Sequence, residues 1–593
     1  MDKATIRREV RRRADGHLAD QRLSVDYYRI RRRISFPLPV RGWKPMSGAL
    51  RGITAEGYPW PIWLLWALEE RVDCLGWAAE WFADRKARAA CERDLAALAR
   101  WPAWRQYAKP DLSLGHAART LHAATRWRWP SRALRTLIHG AFARMLDDGL
   151  PYSDRYAAQW RTKQDILALA DITPALHNIW IIGTIGLALA ARAIGHPALA
   201  ALDARLAMVH AALLDSFANG FSEGVSYDGY TLDFLAQWLE GVPDEIRAPL
   251  VAHPCFARPF EESCFLAAPG SALDSAEIGD VEPVQMTFHA TAHARCLTLV
   301  DDPRMRWWLA RCDPRRLRCA ALAQLARAGR RRRVERAPAA GALDAAYALV
   351  LRSGWEGRDL AAAMSCDASP MAHLHDDAGS IVIGTRGRWL IADPGYQQYL
   401  TTSEREYTLG VAAHNAPVID GRAQDRTGLR RFRLAQQRDV CIAEVDITER
   451  YQPELGLTRV TRTLWLAGRD LVVVADRVVG AKRSVRYHWH GHPDAGWYWE
   501  DGEALIDLDG TVLRVRTPAR ALDETMVERL RGSRGQLTLA VDVPIGSGVH
   551  WWVFSLAARD LPVSLERTHL RVGARRFPIP GEARRAGPRR GGA

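Results

Sequence analysis

The residues with most chemistry in them lie between Met371 and Gln424, in MAHLHDDAGSIVIGTRGRWLIADPGYQQYL and on through HNAPVIDGRAQ. This stretch holds His373, His375 and His414 with Asp376, Asp377, Asp393 and Asp420. Imidazole nitrogens and carboxylate oxygens ligate metals, and two histidines with one aspartate make a workable zinc set. His373 and His375 precede the strand-like run SIVIGT, Asp393 closes RWLIADPG, and His414 opens a later run. Side chains alternate along an extended chain, so a His-x-His pair there aims both imidazoles one way. Neighbouring strands then bring His375, Asp393 and His414 together, either as a metal site or as a hydrogen-bonded polar cluster at a sheet edge.

Two other stretches carry candidate groups. LHNIWIIGTIGLALAA puts Asn178 at the start of a strongly apolar helix, where asparagine serves as an N-cap or reaches into a cleft. ANGFSEGVSYDGYTLDF puts Tyr227 and Tyr230 three residues apart, on one face of a helix, as packing residues or as acid–base groups. HWHGH, with His488, His490 and His492, lies in strand texture and reads as structural.

The elements that must position these groups fall into two textures. From Pro59 to about Leu325, segments such as PIWLLWALEERVDCLGWAAEWF and SRALRTLIHGAFARMLDDG repeat apolar residues at helical spacing, with Gly, Pro and Asp-Gly breaks. No strict repeat recurs at a fixed period, so helical hairpins closing into a ring or bundle are expected. After the basic, small-residue stretch RAGRRRRVERAPAAGALD, runs such as CIAEVDIT, TVLRVRTP and HWWVFSLAA alternate apolar and polar residues. RTLWLAGRDLVVVADRV reads as a hairpin about a Gly-containing turn. Many short antiparallel strands imply a β-sandwich. The expected division is an Arg-rich N-terminal extension over 1–55, a helical toroid over 56–335, an antiparallel β-sandwich over 336–580 and a disordered basic tail over 581–593. SFPLPVRGWKPM, interrupted by prolines, reads as irregular. The cleft between the two domains is the expected site.

A length of 593 residues calls for two or three cores. A net charge of +14, mostly from Arg runs, points to an anionic partner, and Arg suits bidentate contact with carboxylate or phosphate. No nucleic-acid module accompanies the basic runs. Nine scattered cysteines without CxxC pairs exclude a disulfide framework and a cysteine zinc site. The longest apolar run, Ile179–Ala191, is too short to span a bilayer. The charged N-terminus carries no apolar core of a secretory signal, so a cytoplasmic place is expected, with the periplasm as alternative.

Taken together, the three candidate stretches resemble the heparinase II/III-type polysaccharide lyases, which include alginate lyases of the same architecture. HLHDDAGS is similar to the family's His-Gly-His-x-Asp-Ala-Gly-Ser motif, RGRWLIADPGYQQY to its hydrophobic-Asp-Pro-Gly strand end, and HNAPVIDGRAQ to its His-Asn segment. HNIW with GLALAA resembles its Asn-bearing helix, and FSEGVSYDGYTLDF its Tyr-bearing segment. The resemblance implies an incomplete α/α toroid followed by an antiparallel β-sandwich. It implies β-elimination on a uronic acid residue of an acidic polysaccharide or oligosaccharide. Asn178 falls where the family neutralises the uronate carboxylate, Tyr230 (or else Tyr227) at the acid–base tyrosine, and His373 at the catalytic histidine. His375, Asp393 and His414 fall at ligands of a zinc that would be structural. One position departs: the family often has a histidine after the asparagine, and here it is Ile179, with His177 before it. A glycoside hydrolase on the same scaffold and a non-catalytic glycan-binding protein of an exopolysaccharide system are the competing readings. The sugar, its linkage and the oligomeric state, a dimer among the options, are not written in these motifs.

Overall fold

The computed structural model describes residues 1–27, 32–42, 60–104, 111–168, 173–218, 222–281, 286–328, 335–366, 373–395, 403–425, 431–451, 453–480, 484–529, 536–544, 548–556 and 561–580. The basic tail expected over 581–593 lies outside them, as do 43–55 of the N-terminal extension. Two compact units result. One comprises Met1–Cys264, Asp280–Pro338 and Tyr396–Arg405; the other comprises Phe265–Gly279, Ala339–Gly395 and Glu406–Ala593.

The first unit is helical, an incomplete α/α toroid as expected. Its central helices are Trp60–Phe82, Leu112–Ala123, Asn178–Ile194, Val225–Leu239, Met286–Leu299 and Cys319–Ala328. Two glycines let a pair of them approach closely. A Cβ on Gly186 would lie 2.7 Å from the Gly115 Cα, and one on Gly115 would lie 2.7 Å from the Ile182 carbonyl oxygen. Both distances are backbone clashes, so only glycine permits this crossing. The N-terminal extension is more regular than its sequence suggests. Lys3–Ala19 is a helix that buries Ile6, Val10 and Ala14, capped by Asp2. The strands Arg22–Tyr27 and Arg32–Pro37 pair antiparallel, so Ser35, Phe36 and Pro37 of the proline-interrupted run are strand residues.

The second unit is antiparallel β throughout its described sheets, the expected sandwich. An eight-stranded sheet runs from Gly496–Glu500 at one edge to Arg431–Gln437 at the other. A five-stranded sheet contains Ile381–Thr385 and Arg388–Ile391, and a four-stranded one contains Ser484–His490 and Pro417–Ile419. One apolar core joins residues of all three, among them Leu351, Ile383, Val474, Trp489 and Val541. The expected hairpin is present, with Ala467 opposite Leu471 and Gly468 at φ +65° in the turn. Beneath it Arg462 and Asp476 form an ion pair of 2.9 Å, both side chains wholly enclosed.

Candidate functional site

In the helical unit the Asn178 helix begins differently from the expectation. The cap is His177, whose Nδ1 accepts the Ile179 N–H at 3.1 Å. Asn178 is thus released from capping, and its buried side chain turns to Glu223. The Asn178 backbone N–H donates to Glu223 Oε2 at 3.0 Å, and its Nδ2 donates to Oε1. His177 Nε2 stands 3.4 Å from the same Oε1. The histidine before Asn178 therefore reaches the carboxyl that Asn178 holds. Sequence reading passed over Glu223, although FSEG stands in the stretch it singled out.

The turn ahead of the tyrosine helix fixes Glu223. Asp228 accepts the Glu223 N–H at 3.1 Å and the Ser222 hydroxyl at 2.5 Å, and Gly224 sits at φ +111°, where a side chain would be strained. Burial pushes the Glu223 carboxyl well above the usual carboxylate range, against the opposing pull of the Asn178 N–H.

Tyr227 and Tyr230 share the helix Val225–Leu239 but not a setting. Tyr230 is wholly enclosed, while Tyr227 keeps 6% of its surface open. The Tyr230 hydroxyl donates to His116 Nε2 at 2.5 Å and accepts from Trp66 Nε1 at 3.3 Å. On its other side His116 Nδ1 donates to Glu69 at 2.7 Å. Burial holds the His116 imidazole down to about 4, Glu69 only partly offsetting it, so the ring is neutral. Burial likewise pushes the Tyr230 phenol well above its ordinary value. For Glu69, burial is overcome by Arg119 and Arg318, which hold the carboxyl well below its ordinary value. Ion pairs then continue through the unit: Arg119 to Asp233 at 2.6 Å, and Asp233 to Arg295 at 2.9 Å.

In the β unit the structure brings His375, Asp393 and His414 together, with one ligand atom of each within 4.8 Å of the others, all three buried. The segment His373–Ser380 is turn and loop rather than strand, so the expected alternation does not apply. Its course is set by Asp376 N–H donating to the Leu409 carbonyl at 2.9 Å and Gly379 N–H to Ser365 at 2.9 Å. Of the His-x-His pair, only His375 joins the cluster. Asp393 follows the strand end, its Oδ1 accepting the Gly395 N–H at 2.9 Å and its Oδ2 meeting His414 Nδ1 at 2.7 Å. Asn415 ties these pieces together. Its Nδ2 donates to the Ala392 carbonyl at 3.0 Å, and its Oδ1 accepts the His490 N–H at 2.7 Å. His490 in turn meets the Thr538 hydroxyl at 2.8 Å, in keeping with its structural reading.

The donor set fits a cation. His414 Nε2 and Asp377 Oδ2 are buried without a hydrogen-bond partner among the described residues. Burial would lower His414, but the Asp393 carboxylate prevails and raises it to about 8. Buried Asp377, which feels both His414 and His375, is a further oxygen that sequence reading left unassigned. His373 is buried in the same unit, where the Gly279 backbone, at φ +73°, packs so closely that a Cβ would lie 2.7 Å from the His373 carbonyl.

Residues 329–566 match the family model described as Heparinase II/III-like, C-terminal. That is the family the motifs resemble, and the match holds the whole His375–Asp393–His414 cluster. Among curated proteins none matches the chain. Solved structures do share the fold. A heparinase III structure aligns with TM-score 0.58 at 12% identity, over 86% of this chain and 82% of that one. Heparan sulfate lyase HepC from Pedobacter heparinus aligns with TM-score 0.54 at 11% identity, over 96% and 88%. A mutant of HepC gives 0.56 at 11% identity over the same shares.

Proposed function

We propose that this protein cleaves an acidic, uronate-containing polysaccharide or oligosaccharide by β-elimination. The observation that carries the reading is Asn178, freed from helix capping and joined by His177 at a buried carboxyl. A proton α to a carboxylate leaves only when donors stabilise the enolate-like dianion that forms. Asn178 and His177 are donors of that kind, and Glu223, which burial shifts towards its protonated form, adds a third. His177 then takes the part left open by Ile179.

The acid–base pair comes from motif position and burial. Tyr227, rather than the enclosed Tyr230, is the tyrosine offered to substrate in this reading. It takes the C5 proton or returns one to the departing 4-oxygen, with His373 as its catalytic partner. Tyr230 with His116 and Glu69 forms the rigid wall behind it. The cluster His375, Asp393 and His414 holds zinc, which when bound ties the loops of the sheet ends together. The substrate class follows from the lyases of like fold and from the excess of arginine. HepC is a heparan sulfate lyase; alginate, heparan, hyaluronan and glucuronan are all to be tried here.

Elimination leaves a C4–C5 double bond conjugated to the carboxylate, which absorbs in the ultraviolet. New ultraviolet absorbance on one of these substrates, abolished in Tyr227→Phe and His373→Ala, is the expected result. New reducing ends without absorbance would mean hydrolysis, and binding without turnover would mean a non-catalytic glycan-binding protein.

A further inference from the structure

The helices that carry Asn178, Tyr227 and His116 have other ends, and those ends enclose a second site. Asn178 opens one helix and Arg192 lies in its last turn, fourteen residues or ~21 Å away at 1.5 Å per residue. Tyr227 and Gln237 lie ~15 Å apart along another by the same measure. A cavity of about 500 Å³ lies at these far ends, bordered by Arg126, Arg192, Arg327, His122, Gln237 and Trp77. That volume suits a small ligand.

Its polar groups are mismatched to one another. Arg126 is half-buried and makes no direct ion pair among the described residues, with Glu240 and Asp73 acting on it only from further off. Arg192 spends Nη2 on Asp203 at 2.7 Å, but its buried Nη1 is unpartnered. Arg327 adds a further cation at the rim, and the one acid there, Glu240, is engaged by Arg295 and by Gln324. These groups call for acidic oxygens. Gln237, only 3% exposed, has an Oε1 with no donor, and His122 Nδ1 is likewise buried and bare. Burial, with Arg126 and Arg192 beside it, pushes the His122 imidazole down to about 3, so the ring is neutral and Nδ1 accepts or donates according to its tautomer. Those two call for sugar hydroxyls, which both donate and accept. Trp77 supplies a flat apolar wall of the kind a sugar ring packs on.

We propose that this cavity binds a compact acidic sugar, a uronate or a sugar phosphate, at a site separate from the Asn178 cluster. The proposal does not depend on elimination being the reaction. Calorimetric titration of the full chain with glucuronic acid, glucose 6-phosphate, glucose and inorganic phosphate tests it. Saturable binding of at least one acidic sugar is expected, with glucose inert. It should weaken at least tenfold in Arg126→Gln and in Arg327→Gln, while glucose 6-phosphate, which carries no uronate carboxylate, should bind Asn178→Ala as it binds wild type. Arg327 is exposed, so its variant retains the fold, checked by an unchanged melting temperature without ligand. No saturation at millimolar acidic sugar overturns the proposal, as does binding indifferent to both arginine variants, or glucose 6-phosphate binding lost in Asn178→Ala. Inorganic phosphate binding as tightly as glucose 6-phosphate would overturn the sugar.

Discussion

At the scale of residues, the buried carboxyl of Glu223 makes the sharpest prediction. In the proposed reaction it acts as a protonated donor, so Glu223→Gln should keep most of the turnover while Glu223→Ala loses it. Loss on the order of 10²–10³-fold is the usual size for removing one donor to a developing anion. Wild-type turnover should also decline as pH rises through the raised Glu223 value, and the Gln variant should lack that limb. A pH–rate profile of both checks it; identical profiles would remove Glu223 from the reaction. His116 makes an opposite prediction about stability. Its folded value, about 4, lies below the ordinary histidine value, so the unfolded chain binds the proton more readily. The stability it contributes is present above the unfolded value and lost as pH falls through ~6.5 towards 4. Denaturant melts across that window should show a shallower loss in His116→Gln than in wild type.

At the scale of elements, two enclosed networks brace the segments that carry the candidate groups. In the helical unit Asp233 joins Arg119 and Arg295, all three buried. Asp233→Asn leaves two guanidinium groups short of a countercharge, and ~3–5 kcal/mol of stability should go, the usual cost of breaking a buried pair. In the β unit Asn415→Leu strands the Ala392 carbonyl and the His490 N–H. That should cost about 1–3 kcal/mol for each buried group left unpaired. It should also lower metal content, since Asn415 holds the Asp393 strand end against the His414 segment. Equilibrium unfolding with metal analysis reads both effects together.

At the scale of the whole molecule, each unit has its own buried apolar residues and enclosed ion pairs, and the His375–Asp393–His414 cluster lies wholly within the β unit. Removing the proposed zinc should therefore act on the β unit. Chelation should lower its melting temperature, and His375→Ala should do the same without added chelator. His373→Ala should leave metal content and melting temperature alone. No helix of the described residues is long and apolar enough to cross a membrane.

The two textures, and hence the helical and sandwich classes, were legible in the sequence because periodicity is local. The same holds for the Gly468 hairpin and for the motifs that bring His375, Asp393 and His414 into one reading. What periodicity could not decide was which side chains face which. Asn178 reads as a cap on its type alone; the structure gives the cap to His177, because Asn178 finds Glu223, forty-five residues on. Tyr230 and Tyr227 look equivalent at three-residue spacing. Only packing decides that one is sealed against His116 and Trp66 while the other keeps an open edge. The far cavity has no motif at all, since its arginines come from separate helix ends. Residue types and local order are set along the chain; partners, burial and proton affinity are set by neighbours distant in sequence, and these only the tertiary structure supplies.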